Sequence, residues 1–467
     1  MTTPAGLLID LSPLRESRRF RCAFGARLIS VLGIGLLMVA LPVQVYDLTG
    51  SSLHVAGVST AMAIALFGGS LAGGVIADRF DRRTVIQWSR SAAGVAFLGL
   101  GINSLLPDPT LVVIYLAALL DGAAGGISGS ALMALVPMLV GRDKVAAAGA
   151  LTTLTSDLGT MITPAIAGVL IAQIGVSFAF FAAAVATVGT VGLVRAIGPA
   201  PPPAREIRNP LVELGQGIGF AMRHRIIRAV LVSGLLGMLV AGPLVLLPAF
   251  ADRALAAGPA TLGLLYAAPG AGAVLGSLTS GWIGRANRNG LVLLISLALM
   301  PVGVILAGIW PQAAWSFFGL AAFGVARAVN NILRYAVLQQ NAPEDMRGRM
   351  SGLLMVQSVT GTAVGSMAAG AVGNLVEPGT ALVVYGTAVL VLFVPALVLM
   401  APLAGLAAPA SGPGGSAGRE GPAGKTSDAD GAGRAPGPAE VAGSLPGTGV
   451  VPPVQPTGIV DKGKDGV

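Results

Sequence analysis

Stretches of about twenty apolar residues with almost no charge recur along this chain of 467 residues, and nothing else restricts its possible folds so strongly. A helix rises about 1.5 Å per residue, so about twenty residues cross the roughly 30 Å of hydrocarbon in a bilayer. The stretches fall at 20-46, 52-77, 84-105, 111-139, 145-172, 177-197, 227-250, 260-284, 290-309, 312-336, 350-374 and 379-403. With 54% hydrophobic and 11% charged residues, the chain cannot hide its apolar side chains in a soluble globule, which would carry about 25% charge. The alternating ten-residue segments of a barrel are missing, so the backbone in lipid has to be satisfied inside helices. The expected fold is an all-α polytopic membrane protein of twelve transmembrane helices in two pseudo-symmetric six-helix bundles. The apolar run after Phe20 is too long for the core of a cleavable signal and a second span follows it, so it is expected to be retained.

The formal charge of +8 is distributed by topology. Counting from a cytoplasmic N-terminus, the inside segments carry Arg15, Arg18, Arg19 and Arg21; Arg79, Arg82 and Arg83; Arg142 and Lys144; Arg205, Arg208, Arg223 and Arg225; Arg285 and Arg288; and Arg347 and Arg349. The opposite loops carry Asp47, Asp108, Asp252, Arg253 and Glu377. This bias predicts a multi-pass inner-membrane protein with both termini cytoplasmic, and no nucleic-acid partner. A single cysteine, Cys22, excludes an intramolecular disulfide, and His54 and His224 are too far apart in sequence to build a metal site or a triad. No metal and no cofactor are expected. No G-x-x-x-x-G-K-[ST] loop is present, so transport energy would come from a gradient, and an enzyme is not expected.

The chain divides into a cytoplasmic segment 1-19, a bundle 20-197, a central loop 198-226, a second bundle 227-403 and a tail 404-467 rich in Gly, Pro, Ala and Ser. In the central loop, Asn209 and Pro210 read as a cap and first-turn pair. They open a segment with Leu211, Leu214, Ile218 and Met222 on one face, suited to a membrane surface. The tail has too little apolar surface to offset ordering and is expected to be disordered. The bundles repeat: "GSLAGG" at 69-74 returns as "GSLTSG" at 276-281, and "SDLGTMITPAIAG" at 156-168 aligns with "SVTGTAVGSMAAG" at 358-370. Parallel repeats place a solute pathway at their interface, near the midplane.

The run "GGVIADRFDRR", at the end of the second span, resembles the G-x-x-x-D-R-x-G-R-R signature of the major facilitator superfamily through Gly74, Asp78, Arg79, Arg82 and Arg83, with Asp81 in place of a glycine. The glycines would let the second span approach a neighbour closely, and Asp78 could meet the positive N-terminus of a helix from the other half. The resemblance implies that this contact locks the inner side while the carrier faces out. The arginines alone also read as inside-positive anchors. The second-half copy is degraded, with Arg285 at the place of Asp78, and "PEDMRGR" at 343-349 resembles a further loop of the superfamily. In the fifth span Gly159, Pro164 and Gly168 resemble the antiporter motif of proton-driven exporters, which suits either a rocking helix or a passive kinked one.

Within the superfamily, "ARLISVLGIGLLMVALPVQVY", "GGVIADRFDRRTVI", "IYLAALLDG" and "GLLYAAPGAGAVLGSLTSG" are similar to the enterobactin exporter family of siderophore efflux carriers, over residues 7 to about 400. The resemblance implies a secondary exporter of a siderophore or related amphipathic small molecule, by proton antiport, acting as a monomer in the lipid bilayer. Macrolide exporters share this neighbourhood, and an importer or a non-transporting receptor on the same fold is the remaining alternative.

Charges inside a membrane are functional candidates by default. Arg27 in the first span and Asp121 in the fourth lie at heights that allow them to pair. A carboxylate that loses and regains a cation can take up and release a proton, whereas a permanent pair would only hold two helices together. Asp157 in the fifth span is a second candidate for proton coupling. In the tenth span Arg327, Asn330, Asn331 and Arg334 fall within two turns, a polar strip for an anionic or catechol-rich solute, with Arg334 expected to snorkel to the inner interface. Gln44 and Gln357 complete the cavity candidates and serve equally as interhelical hydrogen bonders.

Overall fold

A computed structural model describes residues 10–201, 210–281, 288–343 and 346–404. Where the apolar runs recur, the described chain is helical: α1 (Arg18–Thr49), α2 (Ser52–Arg79), α3 (Arg82–Leu105), α4 (Leu111–Leu139), α5 (Val145–Ile174), α6 (Val176–Arg195), α7 (beginning Arg225–Leu239), α8 (Pro259–Leu278), α9 (Asn289–Ile309), α10 (Ala313–Asn341), α11 (Arg347–Leu375) and α12 (Pro378–Ala404). Eleven of these are long and apolar enough to cross a bilayer. The twelfth, α3, is diluted by Arg82, Arg83, Gln87 and Arg90 yet runs 24 residues among the others. The positions called for Arg205, Arg208, Asn209, Arg285 and the tail lie outside the described residues, as do the last residues of the eighth span and the side chains of Leu211 and Leu214.

Local chemistry sets the ends. The Ser17 hydroxyl accepts from Phe20 N–H and starts α1, which stops at Gly50 in the left-handed region, with φ +60°. The Asp81 carboxylate accepts from Thr84 N–H and starts α3. Gly175, at φ +95°, makes the sharp passage from α5 to α6.

The seventh span is less regular than the sequence suggests. After Leu239 it tightens into a 3-10 stretch at Gly242–Leu246, regains one α turn at Leu247–Ala249 and widens to a π turn at Phe250–Ala254. Pro243 and Pro248 each remove an N–H from the ladder, and the backbone changes pitch to reuse the carbonyls left over. Gly242 fits there because a Cβ would collide with the backbone of Gly365 on α11.

The packing shows the repeat. Within the first half α2 packs on α4 and α3 on α6; within the second, α8 packs on α10 and α9 on α12. The repeated glycines play the same part in each copy, Gly69 against the Ala123 carbonyl and Gly276 against the Val325 carbonyl. The halves meet along two equivalent seams, α5 on α8 and α2 on α11. In the first seam a Cβ on Gly168 would lie 2.7 Å from the Gly263 Cα. In the second, Ser51 Oγ and Asn374 Oδ1 are 3.2 Å apart, and Thr60 reaches the Ala363 carbonyl. Arg253 on α7 donates to the Gly50 carbonyl at 3.2 Å and stacks over the Tyr46 ring.

The Ser51–Asn374 and Arg253–Gly50 links sit on the face opposite residues 10 and 404, called here the far face, and the face that carries residues 10 and 404 is called the terminal face. On the terminal face, no hydrogen bond or ion pair joins the halves among the described residues. The helix Pro210–Arg223 lies on the terminal face, with Gly217 against Arg349 and Met350, and with Ile218 and Met222 turned outward as a membrane-surface segment requires. There too a short helix, Ser12–Glu16, is held by Lys144 to Glu16 and by Ser17 Oγ to the Leu139 carbonyl.

Two outcomes follow from this packing. Gly272→Leu, which drives a side chain into the Ala321 carbonyl, lowers stability by about 1–3 kcal/mol in thermal unfolding, while Gly192→Leu, facing open space, changes it little. In a Cys22→Ser background, Ser51→Cys with Asn374→Cys cross-links on mild oxidation in the resting protein, as read by a gel shift after cleavage in the central loop.

Candidate functional site

Three charged side chains gather inside the first bundle. Asp121 on α4 has Arg90 on α3 as its cationic neighbour, and Arg90 in turn feels Arg27 on α1. This differs from the expected pairing of Arg27 with Asp121. α4 packs along its antiparallel neighbour α3 for much of its length and touches α1 only lightly, so Arg90 is the cation whose charge Asp121 feels. Arg27 donates instead to Ser156 Oγ on α5 at 2.5 Å. Arg90 was missed in the sequence, although a third span less apolar than its eleven companions was the available signal.

The cluster holds two cations against one carboxylate, and its donors are not used up. Arg27 Nε and Ser30 Oγ are buried without a hydrogen-bond partner. Beside them opens a cavity of about 220 Å³ whose polar lining is Arg27, Ser30, Arg90, Ser128, Ser156, Thr160 and Thr190. A buried donor without a partner costs roughly 1–3 kcal/mol, so such a site is disposed toward an acceptor-rich, negatively charged guest.

Asp157 belongs to a different arrangement. It is half-buried on α5, one residue along from Ser156, and the cation it faces is Arg327 on α10. This opposition crosses between the halves, near the middle of both helices. Arg327 also lies over the Phe323 ring, 5.8 Å from its centre. One turn further, Asn331 is exposed and accepts from Arg334 Nη2 at 3.4 Å.

The rest of the strip on α10 is packed away. Asn330 is 2% exposed and donates to the Leu293 carbonyl and Ser296 Oγ on α9, so it joins helices and does not face a cavity. Arg334 is 7% exposed and does not snorkel; its guanidinium fills the space left by Gly234 on α7, beside Gln357 of α11. Gln357 donates to the Leu231 carbonyl, and its Oε1 is left without a partner. Gln44 is buried in α1 with its Oε1 likewise unpartnered.

The signature run at the end of α2 divides its labour unexpectedly. Gly74 has open space around it, and the close approach to α4 is made by Gly69 and Gly73, the latter against Ile127. Asp78 is nearly half exposed, 3.9 Å from Arg82 on its own side of the molecule. Arg82 is buried and donates to the Ala134 carbonyl at 2.8 Å, while Arg79 is exposed. Arg83 is partly buried, its Nε without a partner. Asp81, the departure from the signature, both caps α3 and accepts from Ala200 N–H at 2.8 Å, where the chain leaves the first bundle. In α5, Gly159 packs on Val31 of α1, while Gly168 and the Pro164 carbonyl touch Gly263 of α8 across the halves. Among the described residues no group of His, Cys, Asp and Glu could hold a metal ion.

The sequence matches the Major Facilitator Superfamily over residues 23–366 and again over 229–439, which together cover most of the chain. The chain belongs to that superfamily. Superfamily relatives include the enterobactin exporter EntS of Shigella boydii serotype 18 and that of Escherichia coli O1:K1, each 38% identical over 371 residues, 79% of this chain and 89% of the relative. A bacterial homologue of the iron transporter ferroportin in an inward-facing state shares the fold with a TM-score of 0.63 at 18% identity, covering 83% of this chain and 99% of that one. The nucleoside transporter NupG does so with a TM-score of 0.66 at 14% identity, covering 82% and 99%. The protein is thus a multi-pass transporter of this superfamily, similar to enterobactin exporters.

Asn330→Ala is expected to lower stability by about 0.5–1.5 kcal/mol, whereas Asn331→Ala, on the exposed side, leaves it unchanged; thermal unfolding of the two in the same detergent distinguishes the joining residue from the lining one.

Proposed function

We propose that this protein is a secondary exporter that carries an anionic siderophore, or a related amphipathic small molecule, out across the bacterial inner membrane in exchange for protons. The observation that carries this reading is the 38% identity to enterobactin exporters over nearly their whole length. The geometry supports it independently, because Arg27 and Arg90 outnumber Asp121 beside a cavity with unspent donors. Catecholate oxygens and carboxylates are acceptor-rich and match that surplus. The excess of arginine on the terminal face supports cytoplasmic termini, so a cavity open on that face would load from the cell interior.

Alternating access then consists of a rocking of the halves about the seam of α5 on α8, where Gly168 and Gly263 approach without side chains between them. The open terminal face corresponds to the inward-facing state, and Asp78, exposed here, is free to engage the second half when that face closes. Proton coupling falls to Asp157 in preference to Asp121. The cation facing Asp157 belongs to the other half and moves when the halves rock; Arg90 belongs to the same bundle as Asp121 and stays beside it. A carboxylate whose cation withdraws takes up a proton and gives it back when the cation returns. Asp121 then acts as a fixed counter-charge that positions Arg90 for the solute.

In inside-out vesicles under an imposed pH gradient, the protein accumulates a catecholate siderophore with release of protons. Asp157→Asn abolishes the proton release and leaves substrate binding in place. Arg27→Gln and Arg90→Gln weaken substrate binding about tenfold or more, the loss of one charge-assisted hydrogen bond. Accumulation of a macrolide but no siderophore would overturn the substrate class, and proton coupling that survives Asp157→Asn would return that role to Asp121.

A further inference from the structure

Away from the transport site, the terminal face carries a cavity of about 690 Å³ at the junction of the helix Pro210–Arg223, the start of α7, the end of α10 and the end of α12. One wall is strongly basic. Arg223, His224, Arg225 and Arg228 follow within six positions, and among the described residues none of these arginines forms an ion pair with a carboxylate. Arg228 spends one Nη hydrogen on the Met222 carbonyl at a long 3.5 Å, and its Nε is buried with no partner. His224 is held in place against the Phe220 ring, centroids 4.1 Å apart.

The same wall includes the N-terminus of α7. His224 occupies the cap position without a side-chain cap, and the first turn of this 15-residue helix, Arg225 to Arg228, lines the basic cavity with its positive dipole end. Orphan N–H groups, a helix dipole and several guanidinium groups together are the chemistry of phosphate binding. The opposite wall is apolar: Val398, Leu399, Ala401 and Pro402 of α12, with Val398 77% and Leu399 50% exposed. A free phosphate would have no use for that wall. A phospholipid presents both parts, a charged headgroup at the membrane surface and chains running beside a transmembrane helix.

We propose that this cavity binds the headgroup phosphate of an anionic phospholipid from the leaflet on the terminal side, with its acyl chains along the end of α12. The guanidinium groups of Arg225 and Arg228 and the free N–H groups of α7 hold the phosphate, and Asn341 of α10 borders it. The bound lipid ties the central segment between the halves to the first turn of α7. This assignment is independent of which solute the protein moves.

Native mass spectrometry of the full-length protein released from detergent tests it, with phosphatidylglycerol, phosphatidylcholine or sn-glycerol 3-phosphate added at equal concentration. The expected result is a persistent phosphatidylglycerol adduct, at least tenfold more abundant than the phosphatidylcholine one, that is lost in Arg225→Gln with Arg228→Gln. Should that double variant fail to fold, Arg223→Gln, whose side chain is exposed, carries the same comparison with a partial loss. Equal retention of the two lipids, or an adduct unchanged in every arginine variant, overturns the proposal. Retention of sn-glycerol 3-phosphate as strong as that of phosphatidylglycerol overturns the lipid assignment and leaves a soluble phosphate site.

Discussion

Helices surrounded by lipid gain little from hiding apolar side chains from one another, so their association rests on how closely their backbones approach. In this protein that approach is made at glycine. Gly69 and Gly73 meet α4, Gly272 and Gly276 meet α10, and Gly168 and Gly263 meet each other between the halves. Each contact places a carbonyl or a Cα where any larger residue would put a side chain. The same backbone approach therefore packs each bundle and joins the two along α5 and α8.

The charges follow the same division. Arg27, Arg90 and Asp121 all belong to the first bundle, whereas Asp157 and Arg327 face each other from different halves. Polar residues that the α10 strip appeared to offer to a solute prove to be shared between these duties. Asn330 fastens α9 to α10, Arg334 fills the gap beside Gly234, Arg327 faces Asp157 of the other half, and Asn331 is exposed.

Most of the architecture could be read directly from the chain, since a twenty-residue apolar run has one outcome in a bilayer and the repeated glycine motifs disclose the duplication. What could not be read was rotation. A span fixes the depth of a residue and leaves its azimuth open, so Arg27 and Asp121 matched in height yet turned toward Ser156 and Arg90. Arg90 itself was obscured because an arginine in a weakly apolar span resembles a flanking anchor. The irregular course of α7 past Leu239 was likewise hidden, for Pro243 and Pro248 sit in a run whose hydropathy is that of an ordinary span. Gly74 fits the signature while Gly73 makes the contact, a difference of one residue that only the facing helix decides.

Asp81 has a mechanical consequence. By capping α3 and holding Ala200 with the same carboxylate, it anchors the exit of the first bundle to the gate loop. From residue 200 to Pro210, which opens the next helix, the chain is ten residues long. A chain of ten residues reaches at most about 35 Å. Fixed at its start by Asp81 and by the Arg82 N–H that donates to the Ala200 carbonyl, this short span limits how far from the first bundle the helix Pro210–Arg223 can sit.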